Sequence, residues 1–582
     1  MANNLLNDKH IPFLTLLKRT WKYIKKEIWS FVISFALILV NVFASVMLPR
    51  LTGYFTDYII TPNPTLEIVL YIAIALTILS IISPTFMFIE TVILTKAGQR
   101  IVYNLRMEVF THIENMSQNQ FNDMAVGSLV TRVCSYTSQL SEFFTNTLVK
   151  MLKNLLTVIT IYVYMMVLSW KLGLILSGVV LIIFVISFIF SRTVYKIFSK
   201  ERAQLSDINT YLNETMSGMK IVQIFNQEER FKHDFYKKNH EYFKTRFSVT
   251  IAFAIYRPLV SLIYVLTIAI IIYAGAYLKL FAGTIVTFYL FTDYFFEPIQ
   301  QLADELNNIT RATTSIERLY GLLDIAPEVL DEIDAIEISE FKGKIEFKHV
   351  YFAYEKENWV LKDVSFVINP KESIAFVGAT GSGKTTILGL IVRNFEIQKG
   401  QILIDDIDIK KIKISSLRKA IGQMLQDVFL FTGTVRDNIT LFDDSYKDEE
   451  IYEAINYVNA SRIIDGDRNL DTIIMEKGEN FSAGERQLLS FSRTVLAKPQ
   501  IMILDEATAN IDTETEVVIQ ESLEKMKNIG TMLVVAHRLS TIQHSDKIFV
   551  LSHGEIIEEG NHQSLLRKRG YYYNLYKLQF DK

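Results

Sequence analysis

"SIAFVGATGSGKTTILGLIVRNF" (373–395) decides the fold of the C-terminal half of the chain. It opens on a short apolar run and turns through a stretch that fits G-x-x-x-x-G-K-[ST]. It closes on a pattern with helical spacing. Strand, glycine-rich turn and helix in that order form a phosphate cradle. The glycines let backbone N–H groups come close to phosphate, and the helix N-terminus adds its positive end. Gly378, Thr380, Gly381, Ser382, Gly383, Lys384, Thr385 and Thr386 are the expected nucleotide-binding residues. Lys384 is placed to pair with β- and γ-phosphates, and Thr385 to ligate Mg²⁺.

Outward from this stretch, short β-branched runs alternate with helical patterns from about residue 341 to the end. "KIEFKHVYF", "QIMILDEA" and "TMLVVAH" are among them. Alternation of this kind predicts an α/β domain with a largely parallel sheet. "IMILDE" (501–506) is a buried-strand pattern ending in two acids. It places Asp505 to hold Mg²⁺ through water and Glu506 to polarise an attacking water as general base.

The N-terminal half reads differently. Six apolar stretches, at 31–48, 66–94, 154–170, 172–190, 258–278 and 285–302, approach or exceed the roughly 20 residues that cross a bilayer as a helix. Half of all residues are hydrophobic, 21% are charged, and mean hydropathy is +0.22. A net charge of -3 gives no reason to expect nucleic-acid binding, and a single cysteine, Cys134, excludes an intrachain disulfide and a cysteine-based metal cluster. Arg50, Lys171 and Lys279 lie in short connections, whereas the opposite side carries far more Lys and Arg, so both termini and the soluble domain are expected in the cytosol. Four regions follow: an amphipathic N-terminal segment (1–27), a six-helix membrane domain with two long intracellular loops (28–323), a charged linker (324–340) and the nucleotide-binding domain (341–582). The fold class is an α-helical polytopic membrane domain fused to an α/β P-loop domain, in a multi-pass protein of the cytoplasmic membrane.

Taken together, these motifs resemble those of the ATP-binding cassette (ABC) exporters of type I fold, over nearly the whole chain. In this family an aromatic residue stacks on adenine, and Tyr354 in "VYFAY" matches it. Gln426 in "MLQDVFLF" matches the glutamine that touches Mg²⁺ and senses γ-phosphate. Glu476 in "MEKGENFS", Asp512 in "ATANID" and His537 in "VVAHRLSTI" match the acid before the signature, the D-loop acid and the switch histidine. The resemblance implies catalytic roles for Glu506, His537 and Gln426, with ATP and Mg²⁺ bound. It also implies coupling helices at the loop tips, near 116–121 and 211–220, and a dimer that clasps two ATPs between cassettes. Each ATP would lie between one chain's P-loop and the other chain's signature.

The family signature LSGGQ is here "FSAGE" (481–485), so Ser482, Ala483, Gly484 and Glu485 would act on the partner's ATP. Ala483 adds a methyl and Glu485 adds negative charge beside an anion. With Glu506 and His537 intact, the pattern resembles one subunit of heterodimeric bacterial multidrug exporters. It implies a second half-transporter with an intact LSGGQ and a degraded Walker B glutamate or switch histidine. A homodimer that tolerates "FSAGE" is the alternative.

Charges inside the spans mark a candidate substrate pathway: Asp293 near mid-membrane, Glu297 on the same helical face, and Glu90 toward the cytoplasmic end of the second span. Phe291, Tyr294, Phe295 and Phe296 are expected to surround the acids and to favour amphipathic cations. Export of amphipathic, multidrug-type small molecules is the expected function. A homodimeric lipid or peptide exporter, or an ATP-gated membrane regulator that does not pump, are the competing readings.

Overall fold

The computed structural model describes residues 13–62, 64–355, 358–424, 428–466, 468–505, 513–535 and 542–580; side chains at 13–17, 299, 300, 302–304, 306, 307, 310, 513, 514, 579 and 580 are not described. Contacts divide the chain into two units. One holds the residues up to Glu114 and Met124–Ile325, the other Asn115–Asp123 and Ala326–Lys582.

The first unit is helical. Its long helices are Ile28–Ile59, Leu66–Glu114, Leu148–Leu168, Trp170–Ser217, Glu228–Tyr277 and Ala282–Leu323, which carry the first to sixth spans. Among the described residues, five helical stretches are long and apolar enough to cross a membrane. The sixth helix is long but diluted by Asp293, Glu297 and several tyrosines. Apolar side chains such as Leu70, Ile74, Ile78 and Ile81 stay exposed along the second span, as a lipid-facing surface requires. Helices satisfy their own backbone groups, which hydrocarbon cannot do. The core of the unit gathers Ile161, Leu172, Ile183, Ile271, Phe288 and Phe291.

The N-terminal helix, Phe13–Ile24, is fastened to the cytoplasmic extensions of two span helices. Arg19 Nη1 pairs with Asp324 at 2.7 Å. Lys22 Nζ and Tyr23 OH donate to the two oxygens of Glu108, each at 2.5 Å. Partial burial works to raise the Glu108 pKa, but the Lys22 and Tyr23 bonds outweigh it and the carboxyl lies below its ordinary value.

Both long intracellular loops are helical continuations of the spans. The second span helix runs on to Glu114. A short helix, Gln118–Asn122, follows, closed by a capping box between Ser117 and Gln120. It groups with the second unit: Gln120 Nε2 donates to Ala326 O at 2.8 Å and Ser117 Oγ to Glu328 at 3.0 Å. The other loop tip falls later than 211–220. Nothing between Tyr211 and Ser217 ends a helix, so it continues to Gly218. The short helix at that tip is Met219–Ile224.

The second unit is the α/β domain. Its strands are β1 (Ile345–Ala353), β2 (Trp359–Ile368), β3 (Ser373–Val377), β4 (Lys399–Ile404), β5 (Ile407–Asp408), β6 (Ile421–Met424), β7 (Gly433–Thr434), β8 (Ile473–Ile474), β9 (Ile501–Asp505), β10 (Thr531–Val535), β11 (Lys547–Ser552) and β12 (Glu555–Gly560). A six-stranded sheet has the order β12-β11-β3-β10-β9-β6, a four-stranded antiparallel sheet the order β2-β1-β4-β5, and β7 pairs with β8. In the larger sheet β3, β6, β9, β10 and β11 run parallel. Only β12 is antiparallel. Strands β3 and β10 are buried at every position, which explains why they read as unbroken apolar runs. In the smaller sheet, β1 pairs with β2 and β4, and β4 with β5.

The segment read as a charged linker is stitched to this domain. Ile336 bridges Ile412, and Arg393, 3% exposed, donates to Leu330 O at 2.9 Å.

Candidate functional site

Strand β3 ends at Val377 and delivers the loop 378–383, after which the helix Lys384–Ile391 begins. Gly383 caps that helix with φ +104°, a conformation that L side chains rarely adopt. A Cβ at Gly378 would sit 2.3 Å from Leu551 O, so the loop closes tightly on β11. Lys384 is buried, and its Nζ donates to Gly378 O at 2.8 Å and Ala379 O at 3.1 Å. The cation is thus stored at the loop that should hold phosphate. Ser382 Oγ is buried without a hydrogen-bond partner among the described residues. A tight backbone loop, a stored cation and a spare hydroxyl fit a triphosphate. Thr385 is exposed at the first turn of the helix.

Tyr354 reaches the same helix. Its OH shares a 3.0 Å hydrogen bond with Thr386 Oγ1, and its ring packs edge-on against Phe352 and Phe395. The ring is 45% exposed, so a face is left for an adenine.

The register carries Asp505 to the same edge of the sheet. Phe376 on β3 pairs with Val535 on β10, and Val535 pairs with Asp505 on β9. Asp505 therefore lies two strand spacings, roughly 10 Å, from the P-loop strand. This is the carboxyl edge of the parallel strands, where α/β sheets bind ligands. Thr385 and Asp505 offer the oxygen ligands that Mg²⁺ prefers, and a bound Mg²⁺ would neutralise phosphate charge there. Gln426, Glu506, Asp512 and His537 lie outside the described residues.

The signature opens the helix Ala483–Leu496, with Ser482 as its N-cap. Glu485 N–H donates to Ser482 Oγ at 3.2 Å, and Ser482 N–H donates to Glu485 Oε2 at 2.8 Å. Glutamine or glutamate at this third helical position serves such a box equally. Arg468 Nη1 donates to the other oxygen, Oε1, at 2.7 Å. Partial burial works to raise the Glu485 pKa, but the Ser482 N–H and the Arg468 guanidinium outweigh it and hold the carboxyl below its ordinary value. Glu485 is therefore an ionised group with a local counter-charge rather than a bare anion.

Phe481 is buried at 3% exposure beside Leu430, Leu470 and Leu488, so its difference from leucine is a matter of packing. Ser482 and Ala483 are exposed. A Cβ at Gly484 would meet Thr515 Cγ2 at 2.2 Å, so any side chain there has to displace Thr515. Arg468 and Thr515 escaped sequence reading. They lie 17 and 31 positions from the residues they serve, and no local pattern links them.

Two family models match the chain: the ABC transporter transmembrane region over residues 31–299 and the ABC transporter domain over 361–509. A Bacillus subtilis protein named "Probable multidrug resistance ABC transporter ATP-binding/permease protein YheH" is 35% identical over 86% of this chain and 75% of its own length. The chain belongs to the ABC transporters. A lipid A-core flippase of Syntrophus aciditrophicus is 32% identical to this ABC transporter over 89% of the chain and 86% of the flippase. In fold, the chain matches a bacterial Atm1-family ABC exporter solved with ATP bound. The TM-score is 0.79 over 96% of this chain and 98% of that one, at 23% identity. It is an exporter-type, multi-pass membrane protein with a cytoplasmic cassette, whose ATP hydrolysis drives transport. ABC exporters work as dimers in the bilayer.

In this ABC transporter the intramembrane acids do not form one group. Asp293 is exposed and accepts a 2.6 Å bond from Tyr264 OH, while Glu297 is exposed and accepts from Gln301 at 2.9 Å. Glu90 is 5% exposed and sits in the buried stripe with Leu94, Ala97 and Ile101, facing Asn41 Nδ2 at 3.4 Å. Of the aromatics expected around the acids, Phe291, Phe295 and Phe296 are buried in the helix core. Helical phase turns Phe291 and Phe295 away from Asp293, whereas Phe296, three positions on, packs edge-on against Tyr264, the hydrogen-bond partner of Asp293.

Proposed function

We propose that this chain is one half of an ATP-driven exporter of amphipathic, multidrug-type compounds in the cytoplasmic membrane. Its partner is a second half-transporter of different sequence, with an intact signature and a degraded Walker B glutamate or switch histidine. The observation that carries the ATP-driven reading is the P-loop geometry, with Lys384 stored on loop carbonyls and Ser382 Oγ left spare. The division into P-loop and signature has a physical counterpart. The P-loop helix packs in one hydrophobic cluster through Leu388 and Ile391, and the signature helix in another through Leu488 and Phe491. The exposed Ser482 and Ala483 suit a role toward a second chain. In the catalytic step Gln426, Glu506 and His537 would position and activate the attacking water, with Asp512 at the seam.

A homodimer is the second reading, and one observation favours it: Glu485 keeps the capping role of the usual glutamine and carries its own counter-ion. Purifying the chain alone and measuring its ATPase separates the two. The heterodimer predicts turnover at least tenfold below that of the co-expressed pair, on the order of the loss of one phosphate-contacting donor. Ordinary turnover by the lone chain, abolished by Glu506→Gln, would sink it.

Asp293 supports the choice of cationic cargo, because an exposed intramembrane acid attracts cations. Asp293→Asn is expected to lower the export ratio of a cationic to a neutral substrate about tenfold. An equal loss for both would instead assign Asp293 to packing with Tyr264. A lipid cargo, suggested by the flippase name of one relative, predicts headgroup-dependent export that Asp293→Asn leaves indifferent to drug charge.

A further inference from the structure

We propose that Arg468 is a positioning residue of the composite ATP site: it draws the Glu485 carboxylate back along the signature helix and cancels its charge, so that Ser482, Ala483 and Gly484 can receive a triphosphate held by the partner chain. This rests on the nucleotide-sandwich reading above.

The argument begins with what the capping box needs. A side-chain oxygen at the third helical position must accept from the N-cap N–H. Glutamine supplies a neutral acceptor. Glutamate supplies the same acceptor and a full negative charge, one turn from the helix end that should attract an anion. A carboxylate there is welcome to the isolated helix, because it complements the positive end of the dipole. It is unwelcome once a triphosphate approaches the same N–H groups. Repulsion between like charges is weak in bulk water but grows several-fold in a partly dry interface.

Both Glu485 oxygens are already committed. Oε2 accepts from Ser482 N–H at 2.8 Å and Oε1 accepts from Arg468 at 2.7 Å. The Glu485 side chain is 19% exposed and that of Arg468 35%, so the pair is less screened than a surface ion pair. The guanidinium is itself held in place. It lies over the Phe481 ring at 4.6 Å, and that ring is buried. The two departures from the family signature on either side of Ser482 thus cooperate: Phe481 offers a broad ring to seat the arginine, and the arginine neutralises Glu485. Arg468 itself need not touch nucleotide; it acts through Glu485.

The test is a double-mutant cycle on the complete transporter reconstituted in lipid nanodiscs, with equilibrium ATP binding titrated in a Lys384→Ala background, so that binding reports the ATP held by the partner chain against this chain's signature. With Glu485 present, Arg468→Gln is expected to raise the Kd for ATP about tenfold, as expected for contacting charged groups. In the Glu485→Gln background the same change should shift Kd less than about twofold, since no charge remains to be cancelled. Arg468→Lys, which keeps the charge, should stay near the parent. The same shift in both backgrounds, no shift in either, or a lysine variant as impaired as the glutamine variant would overturn the proposal. A Lys384→Ala control separates the two levels: hydrolysis surviving it would overturn the nucleotide reading, whereas its loss with a null cycle overturns only the role of Arg468.

Discussion

Lys384→Ala is expected to reduce ATP hydrolysis by at least about 100-fold, in line with removal of a single positioned charge-stabilising donor. The side chain sits at the first position of its helix and is stored on Gly378 O and Ala379 O. Arrival of phosphate offers it a far better acceptor than two neutral carbonyls. Alanine removes that cation from the one place where the loop gathers backbone N–H groups. The domain itself should survive. The loop is closed by Gly378 against Leu551 O and by the buried strands β3, β10 and β11, none of which depends on the lysine. The two loop carbonyls that lose a donor are only partly buried and can turn to water, so the loss is about 1 kcal/mol or less. Near-parent thermal unfolding of the variant cassette with ATPase at background is the expected pair of results. Retained hydrolysis would mean the phosphates bind elsewhere.

The second large effect lies in the membrane unit. Gly53→Val is expected to cost about 2–4 kcal/mol and to lower the unfolding temperature in detergent clearly. The first and sixth span helices meet backbone to backbone at Gly53 and Gly283. A Cβ at Gly53 would stand 1.9 Å from Thr287 Oγ1 and 2.3 Å from Gly283 O. No rotamer relieves contact with a carbonyl, so the helices must separate. Separation also stretches the 2.6 Å bond that Gly283 N–H donates to Asp57 Oδ1, which caps the start of the sixth helix from its neighbour. Small residues let helices approach this closely in lipid, where no hydrophobic force drives them together. Unfolding monitored by tryptophan fluorescence in detergent checks the loss. A variant as stable as the parent would show that this contact contributes little.

Much of the architecture was legible beforehand because it is written in short-range pattern. Apolar runs long enough to span hydrocarbon, and the shift to β-branched runs near residue 341, follow from burial and backbone preference alone. The P-loop is likewise local: a strand, a glycine-rich turn and a helix are all that a phosphate cradle requires, and Lys384, Ser382 and Thr385 stand where the motif places them. Even the strand that ends on Asp505, some 120 residues on, was recoverable, since an apolar run of that length has few places to go but a parallel sheet.

What only the tertiary structure decided is the choice of partners across long separations. Glu485 looked like a charge left facing an anion; the fold brings Arg468 to it and turns it into a neutralised cap. Phe481 looked like damage to a signature; the fold buries it as core. Asp293 and Glu90 looked alike as intramembrane acids, yet one is exposed beside Tyr264 and the other is packed against Asn41. Gly53 and Gly283 lie 230 positions apart, and nothing in either neighbourhood announces the other. Periodicity tells which face of a helix is apolar. Only packing selects the atom that a given face will meet, and with it whether a charge is bare or paired.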